Sequence, residues 1–159
     1  LRTFKGLPHR CEAIATIDNV SYINDSKGTN IGATLAAIEG FGSDSYKNLL
    51  LIAGGQGKGQ DFDGLKEAAD SFVKCGFLYG EDAQQLEDAL HSVTKVYRAD
   101  SLVEAVAVAK SAARPGDIVL LSPACASFDS FTGFEERGHC FSQAVLSPVK
   151  TGSREGMTS

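Results

Sequence analysis

Three short stretches concentrate the side chains able to do chemistry. "INDSKGTN" (Ile23 to Asn30) and "GGQGKGQD" (Gly54 to Asp61) each set one lysine, Lys27 and Lys58, among glycines and small polar residues. "SPACASFDSF" (Ser122 to Phe131) sets Ser122, Ser127 and Ser130 among small residues and phenylalanines. Each stretch follows an apolar run. Unpaired backbone N–H groups in glycine turns and at helix starts attract anions, and an ammonium adds a full charge. The chemistry these turns suit is the holding of carboxylates or phosphates.

The glycine turn is not one of the common nucleotide loops. A phosphate-binding G-x-x-x-x-G-K-[ST] loop needs glycine at position 52, where Ile52 stands, and a hydroxyl after the lysine, where Gly59 stands. A G-x-G-x-x-G reading fails at Phe62. What remains is an anion nest presenting Lys58, or a plain loop with a solvated lysine. In the same way, Asn24, Asp25, Ser26, Lys27, Thr29 and Asn30 form either an anion site at a strand-to-helix junction or a helix cap made by Thr29 or Asn30 with Lys27 in solvent. Phe128, Phe131 and Phe134 are either a ligand wall or ordinary core. A nucleophilic Cys125 or Ser127 with His9 or His139 as base is a further reading, one without a G-x-S-x-G elbow to present the nucleophile. Cysteine and histidine show no metal-ligand spacing.

The elements that must position these turns alternate between strand and helix. "CEAIATID" and "VSYINDS" read as short strands around Asn19, a tight hairpin or bend. "TNIGATLAAIEGF" reads as a helix, and "NLLLIAGG" as a strand covered on both faces. The order then repeats: helix "DGLKEAADSFV", strand "CGFLYG", helix "DAQQLEDALH", strand "VTKVYRA", helix "SLVEAVAVAKSAA", strand "DIVLLSP", helix "GFEERGHCFSQAV". Strands separated by helices of this length imply crossovers and a mainly parallel sheet. The expected fold is a three-layer α/β, Rossmann-like domain whose ligands sit beyond the carboxyl ends of the strands. The three chemically unusual turns all lie after strands, so they are expected to converge there, with Lys58, Thr29 and Ser127 lining one cleft.

Composition narrows the partners. A chain of 159 residues, 43% hydrophobic and 22% charged, buries one core. The expected domain runs over 1–146, and the polar tail 147–159 adds little to it. A net charge of −5, from 15 Lys and Arg against 20 Asp and Glu, offers no basic face for nucleic acid. Four scattered cysteines without a C-x-x-C pair fit a reduced compartment. No run approaches the roughly 20 apolar residues of a membrane helix, so a cytoplasmic protein with no membrane partner is expected. The chain begins at Leu1 rather than Met, which fits a piece of a longer polypeptide.

"GLPHRCE", "INDSKGTN", "LIAGGQGKGQDF" and "LLSPACASFDSFTGFEERGHCF", in this order and spacing, resemble the C-terminal domain of the Mur ligases of peptidoglycan synthesis, in particular the branch that adds D-glutamate. The resemblance runs from about Phe4 to Leu146. It implies an ATP-dependent amide ligase acting on UDP-N-acetylmuramoyl-L-alanine and D-glutamate through an acyl phosphate. The N-terminal and central domains of that family, which hold the UDP-sugar, the phosphate-binding loop, the Mg2+ ligands and a carbamylated lysine, correspond to no segment of this chain. The fragment alone is therefore expected to be inactive. The resemblance assigns D-glutamate contacts to Thr29, Lys58, Ser127, Phe128 and Phe134, with Lys27 nearby. It assigns Arg10 to the ATP phosphates and Asp25 to the nucleotide ribose. Gly28 stands where alanine is frequent in the motif, a change expected to loosen the loop without removing a ligand group. Two other readings stay open, a ligase for a different amino acid, as in folylpolyglutamate synthase and the sibling Mur ligases, and a non-catalytic binding module.

Overall fold

A computed structural model of the chain describes residues 11–56, 61–125 and 133–147. The chain enters through a hairpin of β1 (Glu12–Ile17) and β2 (Val20–Asn24). Asp18 and Asn19 between them both take positive φ, 54° and 65°. That is the pair of left-handed residues a two-residue hairpin turn demands, and Asp and Asn tolerate it better than most side chains.

After β2 the chain alternates. The helix α1 (Ile31–Phe41) leads to β3 (Leu49–Gly54), then a 3-10 turn (Phe62–Leu65) runs into α2 (Lys66–Phe72) and β4 (Val73–Tyr79). They are followed by α3 (Ala83–Leu90), β5 (Lys95–Arg98), α4 (Leu102–Ala112), β6 (Ile118–Leu121) and α5 (Phe134–Leu146). The sheet order is β1-β2-β6-β3-β4-β5, with β1 antiparallel to β2 and every other pairing parallel. The alternation read from the sequence therefore forms the expected α/β sheet.

The segment expected as one helix, "DGLKEAADSFV", differs in detail. It opens as the 3-10 turn, because the Asp61 carboxylate accepts from the Asp63 N–H at 3.0 Å and Gly64 weakens the α-helical preference there. Its last residue, Val73, already belongs to β4.

β3 shows why the domain has three layers. All six of its residues are buried, and successive side chains of a strand point to opposite faces. Leu49, Leu51 and Ala53 join Ile38, Leu65, Ala69, Leu86 and Leu120 on the side of α1, α2 and α3. Leu50 and Ile52 join Phe77, Leu102, Val106, Val119, Leu121 and Phe141 on the side of α4 and α5. Each such leucine contributes about 1.5–3 kcal/mol by leaving water. Among the described residues, no helix is long and apolar enough to cross a membrane.

Candidate functional site

The sheet order decides where the site lies. β2 connects to β3 through α1, yet the two strands are not neighbours, because β6 enters between them. All three run parallel, so their carboxyl ends lie side by side on one edge, and the three turns singled out in the sequence begin there. This is the crevice position favoured for ligands in open α/β sheets.

Backbone hydrogen bonds tie the turns together. The Asp25 N–H donates to Leu121 O at 2.8 Å, the Ala124 N–H to Gly28 O at 2.9 Å, and the Gly54 N–H to Pro123 O at 3.1 Å. The turn after β6 is thus clasped on both sides. Ala124 holds a φ of 64°, a left-handed conformation costing an L-residue about 1–2 kcal/mol. Its bond to Gly28 helps to hold it there.

Beneath this backbone layer lies a buried polar cluster. The Ser122 hydroxyl donates to Asp25 Oδ2 at 2.8 Å and lies 3.0 Å from the Thr34 hydroxyl, which itself reaches Ser122 O at 3.2 Å. Asp25 Oδ1 accepts from the Cys11 N–H at 3.2 Å. Asp25 is 4% exposed, and Ser122 and Thr34 are fully buried. Both oxygens of the aspartate that the resemblance gives to the ribose are therefore engaged inside the domain. One of them anchors the residue next to Arg10.

The remaining assigned residues divide sharply. Lys27 is exposed, and its ammonium sits 5.5 Å from the centre of the Phe134 ring, a cation–π contact of about 0.5–1 kcal/mol at an exposed position. Phe134 is half-buried and opens α5. Thr29 is half-buried, one residue before α1 is capped. The cap is Asn30, whose side chain accepts from the Ala33 N–H at 2.9 Å, so Thr29 is left out of that role. Lys27, Thr29, Asp25 and Phe134 thus gather around the ends of β2 and the start of α5. Arg10, Lys58, Ser127 and Phe128 lie outside the described residues.

Of the nucleophile reading, Cys125 and His139 are the members that the described residues include. Cys125 is fully buried within the apolar core, and His139 is exposed on α5, while Ser127 and His9 lie outside the described residues. On the same helix, burial and then the Glu136 carboxylate push the Cys140 thiol up from its ordinary value, which keeps it protonated and a poor nucleophile at neutral pH.

The structure changes the reading of one residue and adds another. Gly28 is buried, and a Cβ there would stand 2.7 Å from Asp25 Oδ2 and 2.8 Å from Ser122 Oγ. Its glycine is a matter of space rather than of a loosened loop. Gly28→Ala is expected to push Asp25 and Ser122 apart at an overpacking cost of about 1–3 kcal/mol. In a domain of this size that lowers Tm by roughly 2–12 °C; a thermal melt with unchanged Tm would contradict it. The second is Arg137, fully buried in α5. Phe134, Phe141 and Val145 stand at helical spacing around it, so an arginine on the apolar stripe of this helix was the available signal.

Comparison with known proteins places these observations. The model of the family described as "Mur ligase, glutamate ligase domain" matches residues 9–125. A UDP-N-acetylmuramoylalanine–D-glutamate ligase of Legionella pneumophila (strain Paris) is 54% identical over 145 residues, 91% of this chain and 32% of the relative. One of Acinetobacter baylyi is 53% identical over 148 residues, 91% of this chain and 33% of the relative. The chain therefore spans about a third of the length of these relatives. Among solved structures, a murein peptide ligase of Psychrobacter arcticus superposes with a TM-score of 0.62 at 16% identity, over 93% of this chain and 32% of that one. That likeness concerns the fold alone.

Proposed function

The chain belongs to the Mur ligase, glutamate ligase domain family, and from that premise we propose that it is the D-glutamate-binding C-terminal domain, residues 1–146 with a polar tail over 147–159, of a cytoplasmic ligase that joins D-glutamate to UDP-N-acetylmuramoyl-L-alanine at the expense of ATP. The observation that carries the reading is identity above 50% along 91% of the chain to relatives that bear this activity in their names. Fold likeness at 16% identity has no bearing on the choice of amino acid.

The chemistry is an acyl transfer in two steps. The γ-phosphoryl group of ATP passes to the alanyl carboxylate, giving an acyl phosphate and ADP. The amine of D-glutamate then attacks the acyl carbon, and the tetrahedral intermediate collapses with loss of inorganic phosphate. The part of this domain is to present that amine. D-glutamate carries two carboxylates at neutral pH, so it needs ammonium groups and clustered N–H and O–H donors that leave its amine facing outward. We assign this work to Lys27, Thr29, Lys58 and Ser127, with Phe128 and Phe134 as apolar walls. Charge-assisted bonds to both carboxylates would lower the entropy of the encounter and orient the nucleophile.

Arg10 and Asp25 take the nucleotide side of the reading. Support comes from the bond between Asp25 and the Cys11 N–H, which sets the residue after Arg10 against the end of β2. A fixed guanidinium there suits the charge that develops on a transferring phosphoryl group. Among the described residues, no group of three or more His, Cys, Asp or Glu side chains is arranged to hold a metal ion. No step is assigned to the Mg2+ that accompanies ATP in this domain.

The test is an amino-acid panel on the complete ligase, with phosphate release dependent on UDP-N-acetylmuramoyl-L-alanine as the readout. D-glutamate should be the amino acid that turns over, with L-glutamate, L-alanine and diamino acids poor. Turnover of another amino acid in preference would overturn the assignment. The 159 residues alone contain no G-x-x-x-x-G-K-[ST] loop and should release no phosphate from ATP.

A further inference from the structure

Arg137 lies one helical turn after Phe134, and none of the roles assigned above uses it. Its side chain is fully buried and crosses beneath the ends of the strands. Nε donates to Ser26 Oγ at 3.1 Å, one terminal nitrogen donates to Ser26 O at 2.8 Å, and the other reaches Gly54 O at 3.5 Å. The Ser26 hydroxyl passes the connection on by donating to Phe134 O at 2.6 Å. Beside it, Asn24 takes the Ser26 N–H on its side-chain oxygen at 3.0 Å and donates to Gly138 O at 3.4 Å.

We propose that Arg137 is a positioning residue for amino-acid binding, a buried brace that sets the Lys27–Thr29 turn, the end of β3 at Gly54 and the start of α5 at their working separation without touching the substrate. Three segments that are remote in sequence each carry part of the site proposed above: Lys27 and Thr29 directly after Ser26, Lys58 four residues after Gly54, and Phe134 itself. A guanidinium is planar and offers five N–H donors in a fixed fork, so one side chain can hold two backbone carbonyls and a hydroxyl at once. Lysine has the charge but lacks that fork. Burying an arginine is costly unless its donors are satisfied, and these three acceptors offset that cost. Apolar packing alone would not require a cation here, whereas fixing three loops at one spacing does.

This inference rests on the D-glutamate reading, and the experiment separates the two. Arg137→Lys and Ser26→Ala are made in the complete ligase, and KM is measured for each substrate in turn alongside thermal melts. Misplacement of reacting groups by about 1 Å can cost on the order of 100-fold, so Arg137→Lys should raise the KM for D-glutamate by roughly 10- to 100-fold while the KM for ATP moves far less. Ser26→Ala removes one hydroxyl and leaves the Ser26 carbonyl in place. It should raise the same KM by roughly 2- to 10-fold, the range of a single neutral hydrogen bond, with little change in Tm. A merely structural arginine would lower kcat with every substrate as the folded fraction falls and leave the KM for D-glutamate unchanged; that result would overturn the proposal. Should Arg137→Lys fail to fold, Ser26→Ala decides alone, and an unchanged KM for D-glutamate in that variant also overturns it. A wild-type ligase without D-glutamate turnover would instead strike the reading of the substrate.

Discussion

Replacing Lys58 by alanine in the complete ligase is expected to raise the apparent KM for D-glutamate by roughly 10- to 150-fold. The figure follows from removing a charge-assisted hydrogen bond worth about 1.5–3 kcal/mol, at 1.4 kcal/mol per factor of ten. The KM for ATP should change far less, because the nucleotide is assigned to Arg10 and Asp25. Lys58→Arg should restore only part of the affinity, since a planar fork does not reproduce a compact ammonium among glycines. Steady-state kinetics with each substrate varied in turn distinguishes the cases. A defect confined to ATP, with unchanged dependence on D-glutamate, would move Lys58 to the nucleotide.

Gly54→Ala should be the most damaging small substitution in the described core. Gly54 ends β3 with a φ of 150°, and a Cβ built there would stand 2.0 Å from the carbonyl oxygen of Tyr79. That neighbour is the backbone of the adjacent strand, which cannot swing aside as a side chain can. The strain of the backbone angle, about 1–3 kcal/mol, adds to overpacking of about 1–3 kcal/mol. The two together amount to roughly 2–6 kcal/mol, or a fall in Tm of about 4–24 °C at 2–4 °C per kcal/mol. Because Gly54 O also accepts from Arg137 and its N–H donates to Pro123 O, the damage should extend to the site. A thermal melt of Gly54→Ala within 2 °C of the wild type would show that the strands part more easily than this contact implies.

The two substitutions test different levels of the same loop. Lys58 acts through a charge, and its loss should leave the fold intact. Gly54 acts through the absence of a side chain, and its loss should weaken the fold before any ligand is considered. Measuring Tm beside KM for both would separate the two effects. Such a separation matters here, because the site is assembled from strand ends whose spacing the core maintains.

The sequence by itself determined the elements, because the signals that make them are local. The bend at Asn19, a helix cap at Thr29 or Asn30 and the continuous apolar run of β3 each depend on a few neighbouring side chains. The motifs likewise marked Lys27, Thr29 and Asp25 by their place after an apolar run, and the order of turns carried the family. What only the tertiary structure decided is which turns meet. The insertion of β6 between β2 and β3 brings Ser122 onto Asp25 across 97 residues of chain, and no periodicity encodes that pairing. The same step engages both carboxylate oxygens of Asp25 with Cys11 and Ser122, and it places Cys125 in the apolar core rather than in a reactive cleft. Arg137 is the sharpest case. In sequence it is one more charge in "GFEERGHCF", and only the closing of α5 over the strand ends buries it against Ser26 and Gly54. Burial and partner choice arise from the packing of segments remote in sequence, so they become legible only when the chain has closed on itself.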